Sequence, residues 1–293
     1  MKWACSKIEF VSKLTDILGV SSLSRHVLTL LNPGHIRVLN YHHIPEHEMP
    51  AFVKQVEYLL SVFDPATPED LASKVTSRSV GRRRPAFILT FDDGFESQGT
   101  YVAEYLTKKN IKAWFFVPTE APDIEPSRQP AWAVDHQVLG KSENGVVSGR
   151  VFAEWSTWER LSEFHVIGSH THTHLRFKPT VDPQSVREQL SRSQEILQAK
   201  LKSNFSPRSF CWVGGEFGSY SMAAANEIRN STAEYSFTTC SLPVTESTDP
   251  QRIERTNVES SFSISRFKMS VSGIVDIRYF FKRRALNQAF SLK

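Results

Sequence analysis

Two short segments hold residues whose types and spacing suit hydrolytic chemistry. Thr90-Phe91-Asp92-Asp93-Gly94-Phe95 sets two adjacent carboxylates directly after an apolar run, with a glycine to turn the chain. Ser169-His170-Thr171-His172-Thr173-His174 follows another apolar run and places three histidines within five positions. Neighbouring residues on an extended chain point to different sides, so Asp92 and Asp93 can divide two tasks, one binding a metal and the other handling a proton. A plain Asp-Asp-Gly turn held by side-chain hydrogen bonds is the structural alternative. In a helical turn His170 and His174 share a face and His172 points elsewhere, whereas an extended segment would bring all three to one side. The end of the apolar run favours the turn. Two imidazoles with Asp93 make a donor set suited to Zn²⁺, with Co²⁺, Ni²⁺ and Fe²⁺ as other candidates. Three protein ligands leave room for a water, whose pKa falls to about 7 on zinc.

The elements that must position these residues alternate between short apolar runs and amphipathic stretches, the pattern of an α/β protein. Strands are expected at Ile36 to Tyr41, Ala86 to Phe91, Ala113 to Val117, His165 to Ser169, Ser209 to Val213 and Tyr235 to Thr239. Helical periodicity marks Phe52 to Phe63, Tyr101 to Leu106, Pro183 to Leu201 and Met222 to Ile228. Residues 119 to 150 read as a long, irregular surface excursion able to line a substrate groove. Strands separated by helices favour a parallel sheet or barrel, and in such folds active sites gather at the C-terminal ends of strands, where both motifs stand.

The chain has 293 residues, a formal net charge of +4 and a pI near 8.9. The basic clusters Arg82-Arg83-Arg84 and Lys282-Arg283-Arg284 read as solvated loops, and no zinc-finger or RNA-binding pattern points to nucleic acid. Cys5, Cys211 and Cys240 form no disulfide framework, which suits a reducing compartment. Lys7, Glu9, Lys13 and Asp16 interrupt any early apolar run of signal-peptide quality, so a cytoplasmic location is expected. The boundaries expected are an N-terminal helical extension over 1–35, a catalytic domain over 36–270 and a basic amphipathic tail over 271–293. In that tail Ile277, Phe280, Phe281 and Phe290, with Lys282, Arg283 and Arg284, suit peripheral contact with an anionic leaflet.

Thr-Phe-Asp-Asp-Gly followed by Ser-His-Thr-x-Thr-His resembles the polysaccharide deacetylase family, the NodB-homology domain. The resemblance extends from about Ile36 to Arg255 and takes in Trp158-Glu159-Arg160-Leu161, similar to the family's helix before the histidine motif. It implies a distorted TIM-like (β/α) barrel, a general base at Asp92, and metal ligands at Asp93, His170 and His174. It implies a hydrolase removing an N-acyl group, most simply acetyl, from a carbohydrate or glycan-biosynthesis intermediate. The expected partner is therefore an N-acylated sugar, nucleotide-linked or lipid-linked forms included.

Two departures stand out. In Phe210-Cys211-Trp212-Val213-Gly214-Gly215, Cys211 takes a position where many members have Arg, and Val213 one where they have Pro. Trp212 and Gly214 are the substrate and oxyanion positions expected in this stretch, with a backbone N–H near Gly214 as donor. All ten histidines lie at or before position 174, so the family's late Leu-x-His motif is absent. Asn40-Tyr41-His42-His43-Ile44 instead resembles an early Tyr-His motif, which implies His42 as the general acid and His43 as its fallback. The alternative function is a degenerate member that binds glycan without cleaving it.

Overall fold

A computed structural model describes residues 2–76, 84–140, 149–201, 208–215, 217–279, 282–284 and 287. Arg82, Arg83, Phe280, Phe281 and Phe290 lie outside the described residues, as do 141–148 of the long excursion. In chain order the first elements are α1 (Lys2–Ile17), α2 (Val20–Leu31), β1 (Ile36–Tyr41), α3 (Met49–Val62), β2 (Asp64–Pro65), α4 (Pro68–Val75) and β3 (Ala86–Phe91). Next come α5 (Ala103–Lys108), β4 (Trp114–Val117), α6 (Gln129–Asp135), α7 (Trp155–Leu161), β5 (Val166–Ser169), α8 (Pro183–Lys200) and β6 (Ser209–Cys211). The chain continues with α9 (Met222–Arg229), β7 (Tyr235–Thr238), β8 (Ile253–Glu254), β9 (Thr256–Asn257), α10 (Ile264–Val271) and α11 (Ile274–Arg278).

The chain forms two compact units. One comprises Met1–Leu89, Thr239–Asp249 and Glu254–Arg283; the other Thr90–Thr238, Pro250–Ile253 and Arg284–Lys293. In the first, β1 lies between β9 and the start of β3, with parallel β1–β9 and β2–β3 pairing. Arg37 on β1 is fully buried and grips Asp276 of α11 through two hydrogen bonds of 2.9 Å. Asp276 also accepts from Ser241 at 2.6 Å, so the buried charges are paired and the carboxylate has a third donor, while Arg37 Nε has no hydrogen-bond partner.

The second unit orders its strands β7-β6-β5-β4 and then the end of β3, every ladder parallel. These strands are buried along their whole length, which is why they read as continuous apolar runs rather than alternating ones. Phe91, Phe115 and Trp158 pack together on one side of these strands, and Phe116 meets Phe237 on the other. Gly168 on β5 is required by close approach: a Cβ there would lie 2.7 Å from the Phe116 ring and 2.9 Å from Ser209 O. The excursion from residue 119 is less irregular than expected, because 3-10 turns at Ala121–Asp123 and Pro126–Arg128 lead into α6. Pro122, Pro126 and Pro130 sit in the first turns of these pieces, where a missing N–H costs nothing.

His165, just before β5, is a buried neutral histidine. Its Nδ1 accepts from Ala113 N–H at 3.2 Å, which leaves Nε2 to donate to Thr107 Oγ1 at 2.9 Å. Burial lowers its pKa from 6.5 to about 4. Below its unfolded pKa the unfolded chain takes up a proton that the fold refuses, so stability is lost as pH falls from about 6.5 to about 4. The shift corresponds to roughly 3 kcal/mol. His165→Asn keeps an acceptor for Ala113 without the titration. Urea unfolding is expected to show the wild-type advantage at pH 7 shrinking by on the order of 2 kcal/mol at pH 4.5. An advantage that does not vary with pH would contradict this assignment.

Candidate active site

The second unit brings both motifs together at the ends of β3 and β5. Asp92, Asp93, His170 and His174 are all buried, none more than 6% exposed. His174 Nε2 lies 3.2 Å from Asp93 Oδ1, and His170 Nε2 lies 3.5 Å from the same oxygen. Each imidazole is fixed from its other side: His170 Nδ1 meets Cys211 O at 3.1 Å and His174 Nδ1 meets His136 O at 2.6 Å. A carbonyl oxygen only accepts, so both Nδ1 atoms carry hydrogen. In the neutral rings, Nε2 then presents a bare lone pair toward a carboxylate.

Two lone pairs and a carboxylate oxygen facing one another repel unless a cation lies among them. Imidazoles that donate their second nitrogen to backbone carbonyls are the usual arrangement around a bound metal. The proton equilibrium points the same way. Burial alone would lower the pKa of His170, but Cys211, Asp92 and the contact with Asp93 raise it well above the ordinary imidazole value. The residues therefore fit a divalent metal, with Asp93, His170 and His174 as its three ligands. Asp92, His170 and Cys211 are also close enough for one ion. His170 has a single uncommitted nitrogen, so the sets exclude each other, and the set with two converging Nε2 atoms is the better one.

Backbone conformation makes this convergence possible. Asp93 has φ 78°, Thr171 φ 66° and His174 φ 56°, three of the five non-glycine residues with positive φ among those described. For β-branched Thr171 this is strained, and strain of this kind gathers at functional sites. Its hydroxyl accepts from Leu175 N–H at 3.0 Å, and its carbonyl accepts from Thr119 N–H at 3.2 Å. Gln189 Oε1 on α8 accepts from the N–H groups of His172 and Thr173 at 3.0 and 2.9 Å. His172 itself turns away to Thr119 Oγ1 at 3.0 Å, as the turn reading expects.

Asp92 is held by different partners. Its carbonyl accepts from Gln98 Nε2 at 2.5 Å, while the Cys211 thiol points at its two carboxylate oxygens from 3.6 and 3.7 Å. A thiol is a weak donor, so this contact aligns the carboxylate without the charge a guanidinium would bring. Trp212 is buried: its indole donates to Ser236 Oγ at 2.8 Å and its backbone N–H to Phe237 O at 3.1 Å. Gly214 follows in a left-handed turn at φ 80°. His42 and His43 stand in the first unit, exposed, immediately after β1.

Sequence reasoning missed Gln98, His136 and Gln189. Gln98 supplies its amide from six residues beyond Asp92, and Gln189 and His136 supply an amide and a backbone carbonyl from further along the chain, none of which a local pattern announces. His136 caps α6 and stacks on Trp132 with centroids 4.1 Å apart, so part of the excursion serves as a support for His174.

The polysaccharide deacetylase family model matches residues 80–233, and the chain belongs to this family. No curated sequence matches it. It is similar in structure to the deacetylase domain of BpsB from Bordetella bronchiseptica, with 18% identity and a TM-score of 0.59 over 78% of this chain and 97% of that one. IcaB from Ammonifex degensii matches with 19% identity and a TM-score of 0.61 over 82% and 97% of the two chains. PplD of Streptococcus pyogenes, a deacetylase solved in complex with acetate, matches with 14% identity and a TM-score of 0.61 over 82% and 99%. These likenesses show the fold, the α/β barrel type expected from the motifs.

Gly94 tests the backbone argument. At φ +71° a Cβ would also lie 3.1 Å from Val117 Cγ1, so Gly94→Ala is expected to destabilise by about 1–2 kcal/mol. Gly218→Ala, with open space around the added carbon, is expected to be near neutral in the same urea titration. Equal effects would remove the conformational requirement at Gly94.

Proposed function

We propose that this chain is a metal-dependent hydrolase that removes an N-acetyl group from a carbohydrate. The observation that carries the reading is the pair of buried imidazoles, each anchored through Nδ1 to a carbonyl and turned through Nε2 onto Asp93. Asp93, His170 and His174 hold the cation, with Zn²⁺ the best match to the donor set. Such a cation polarises the acyl carbonyl and makes a water acidic enough to attack at neutral pH.

Asp92 takes the proton of the attacking water, its carboxylate held in line by Cys211. The Gly214 backbone N–H steadies the negative charge that grows on the carbonyl oxygen. His42 gives a proton to the departing amine, the role its early Tyr-His motif implies. The substrate is an N-acylated sugar or glycan-biosynthesis intermediate, nucleotide-linked and lipid-linked forms included. The second reading, a glycan binder without turnover, draws on Cys211, a weak neutral donor facing Asp92 at a position where many members have Arg. Metal-dependent release of acetate separates the two.

Asp92→Asn is expected to retain the metal and lower kcat at least about 100-fold, followed by acetate release from N-acetylated sugars. Undiminished turnover would take the base role from Asp92. For His42→Gln, cleavage of an N-acetyl amine is expected to fall on the order of 100-fold, while acetyl esters of acidic phenols, whose leaving groups need no proton, react nearly as before. Equal losses on both substrates would remove His42 from proton donation.

A further inference from the structure

The helical pair that opens the first unit turns several polar side chains inward and most of its large apolar ones outward. On α1 the buried residue among those described is Ser12, and Glu9 and Asp16 are half-buried beside Ile8 and Thr15. Glu9 pairs with Arg266 of α10 at 3.5 Å, and Asp16 pairs with Lys268 at 3.1 Å and accepts from Ser265 at 2.8 Å. On α2 the buried residue is Ser21, and Ser24 donates to Ser272 O at 3.1 Å.

The outward faces are apolar. Phe10, Leu14 and Ile17 on α1, and Leu18 directly after it, are 69, 46, 82 and 66% exposed. Leu23, Val27, Leu30 and Leu31 on α2 are 65, 45, 79 and 74% exposed. Both helices thus repeat one stripe, at i, i+4, i+7 and i+8, the spacing that an amphipathic helix ordinarily turns to its core. Single exposed apolar residues are commonplace, but two such stripes on adjacent helices mark an interaction surface.

Charge decides what covers it. The acids of the pair, Glu9 and Asp16, are both directed onto α10, and α2 contains none. The exposed charges beside the apolar stripe of α1 are Lys7 and Lys13. A second copy packed on this face would set lysines near lysines with no outward carboxylate to receive them. An anionic headgroup layer complements the positive charge of these lysines, and acyl chains supply the apolar phase. With 16 and 12 residues the helices are about 24 and 18 Å long, and no described helix is long and apolar enough to cross a membrane. We infer that α1 and α2 lie in the plane of an anionic membrane surface with their apolar stripes in the interfacial layer. In the C-terminal tail, by contrast, Lys282 and Arg283 donate to Thr239 O and Ser241 O, so these cations are engaged within the unit.

The test is co-sedimentation of the full chain with phosphatidylcholine vesicles, with and without about 30% phosphatidylglycerol. Binding to the anionic vesicles is expected, several-fold weaker at high salt and at least ten-fold weaker for Leu14→Ser/Ile17→Ser/Leu23→Ser/Leu30→Ser. Because these side chains are exposed, the variant is expected to keep the wild-type thermal transition. A fluorophore on Leu18→Cys, quenched by brominated lipid, gives a second reading that does not depend on that variant. No binding to either vesicle, unchanged binding by the variant, or no quenching would overturn the inference. So would a dimer in solution that the four substitutions convert to monomer, because the face would then belong to a second copy.

Discussion

Electrostatic frustration in a buried place governs the structure around the two motifs. Asp93 Oδ1 and the Nε2 atoms of His170 and His174 are crowded together with little water to separate them. Neither ring can turn to relieve this, because each is held through Nδ1 by a main-chain oxygen. Charge of one sign in a poorly solvated cavity is costly, so the arrangement persists only with a counter-charge, a proton or a metal. Two nitrogens and an oxygen at these distances are a better match to a divalent ion than to one proton. Everything else around the site keeps that geometry fixed.

Fixing it requires unusual backbone. Asp93 and Gly94 are both left-handed, which swings the two adjacent carboxylates apart, one toward the imidazoles and one toward Cys211. Thr171 and His174 are left-handed as well, and the strain is held by hydrogen bonds from β4's end, α8 and the turn itself. Cys211 joins the halves: its carbonyl holds His170 and its thiol faces Asp92. One residue thereby links His170 to Asp92.

The strands and the two motifs were legible because burial on both faces leaves unbroken apolar runs, and the chemistry sits where those runs stop. β1 and β3 begin and end where the apolar pattern does. The excursion after residue 119 was not legible as structure, since its helical pieces are a turn or two long and punctuated by proline. Short elements carry too little periodicity to register. The N-terminal pair could be expected as helical, but not as inverted, because the stripe in the sequence is the same whichever way it faces. The partners that anchor the imidazoles are backbone carbonyls, and a carbonyl has no sequence signature at all.

The most direct measurement is divalent metal bound per chain, in protein purified without chelator and in the His170→Ala/His174→Ala variant. The account predicts about one ion per wild-type chain, lost in the variant. A wild-type chain that takes up no ion even after addition of Zn²⁺, Co²⁺ or Ni²⁺ would contradict it, and would leave glycan binding without hydrolysis as the better description.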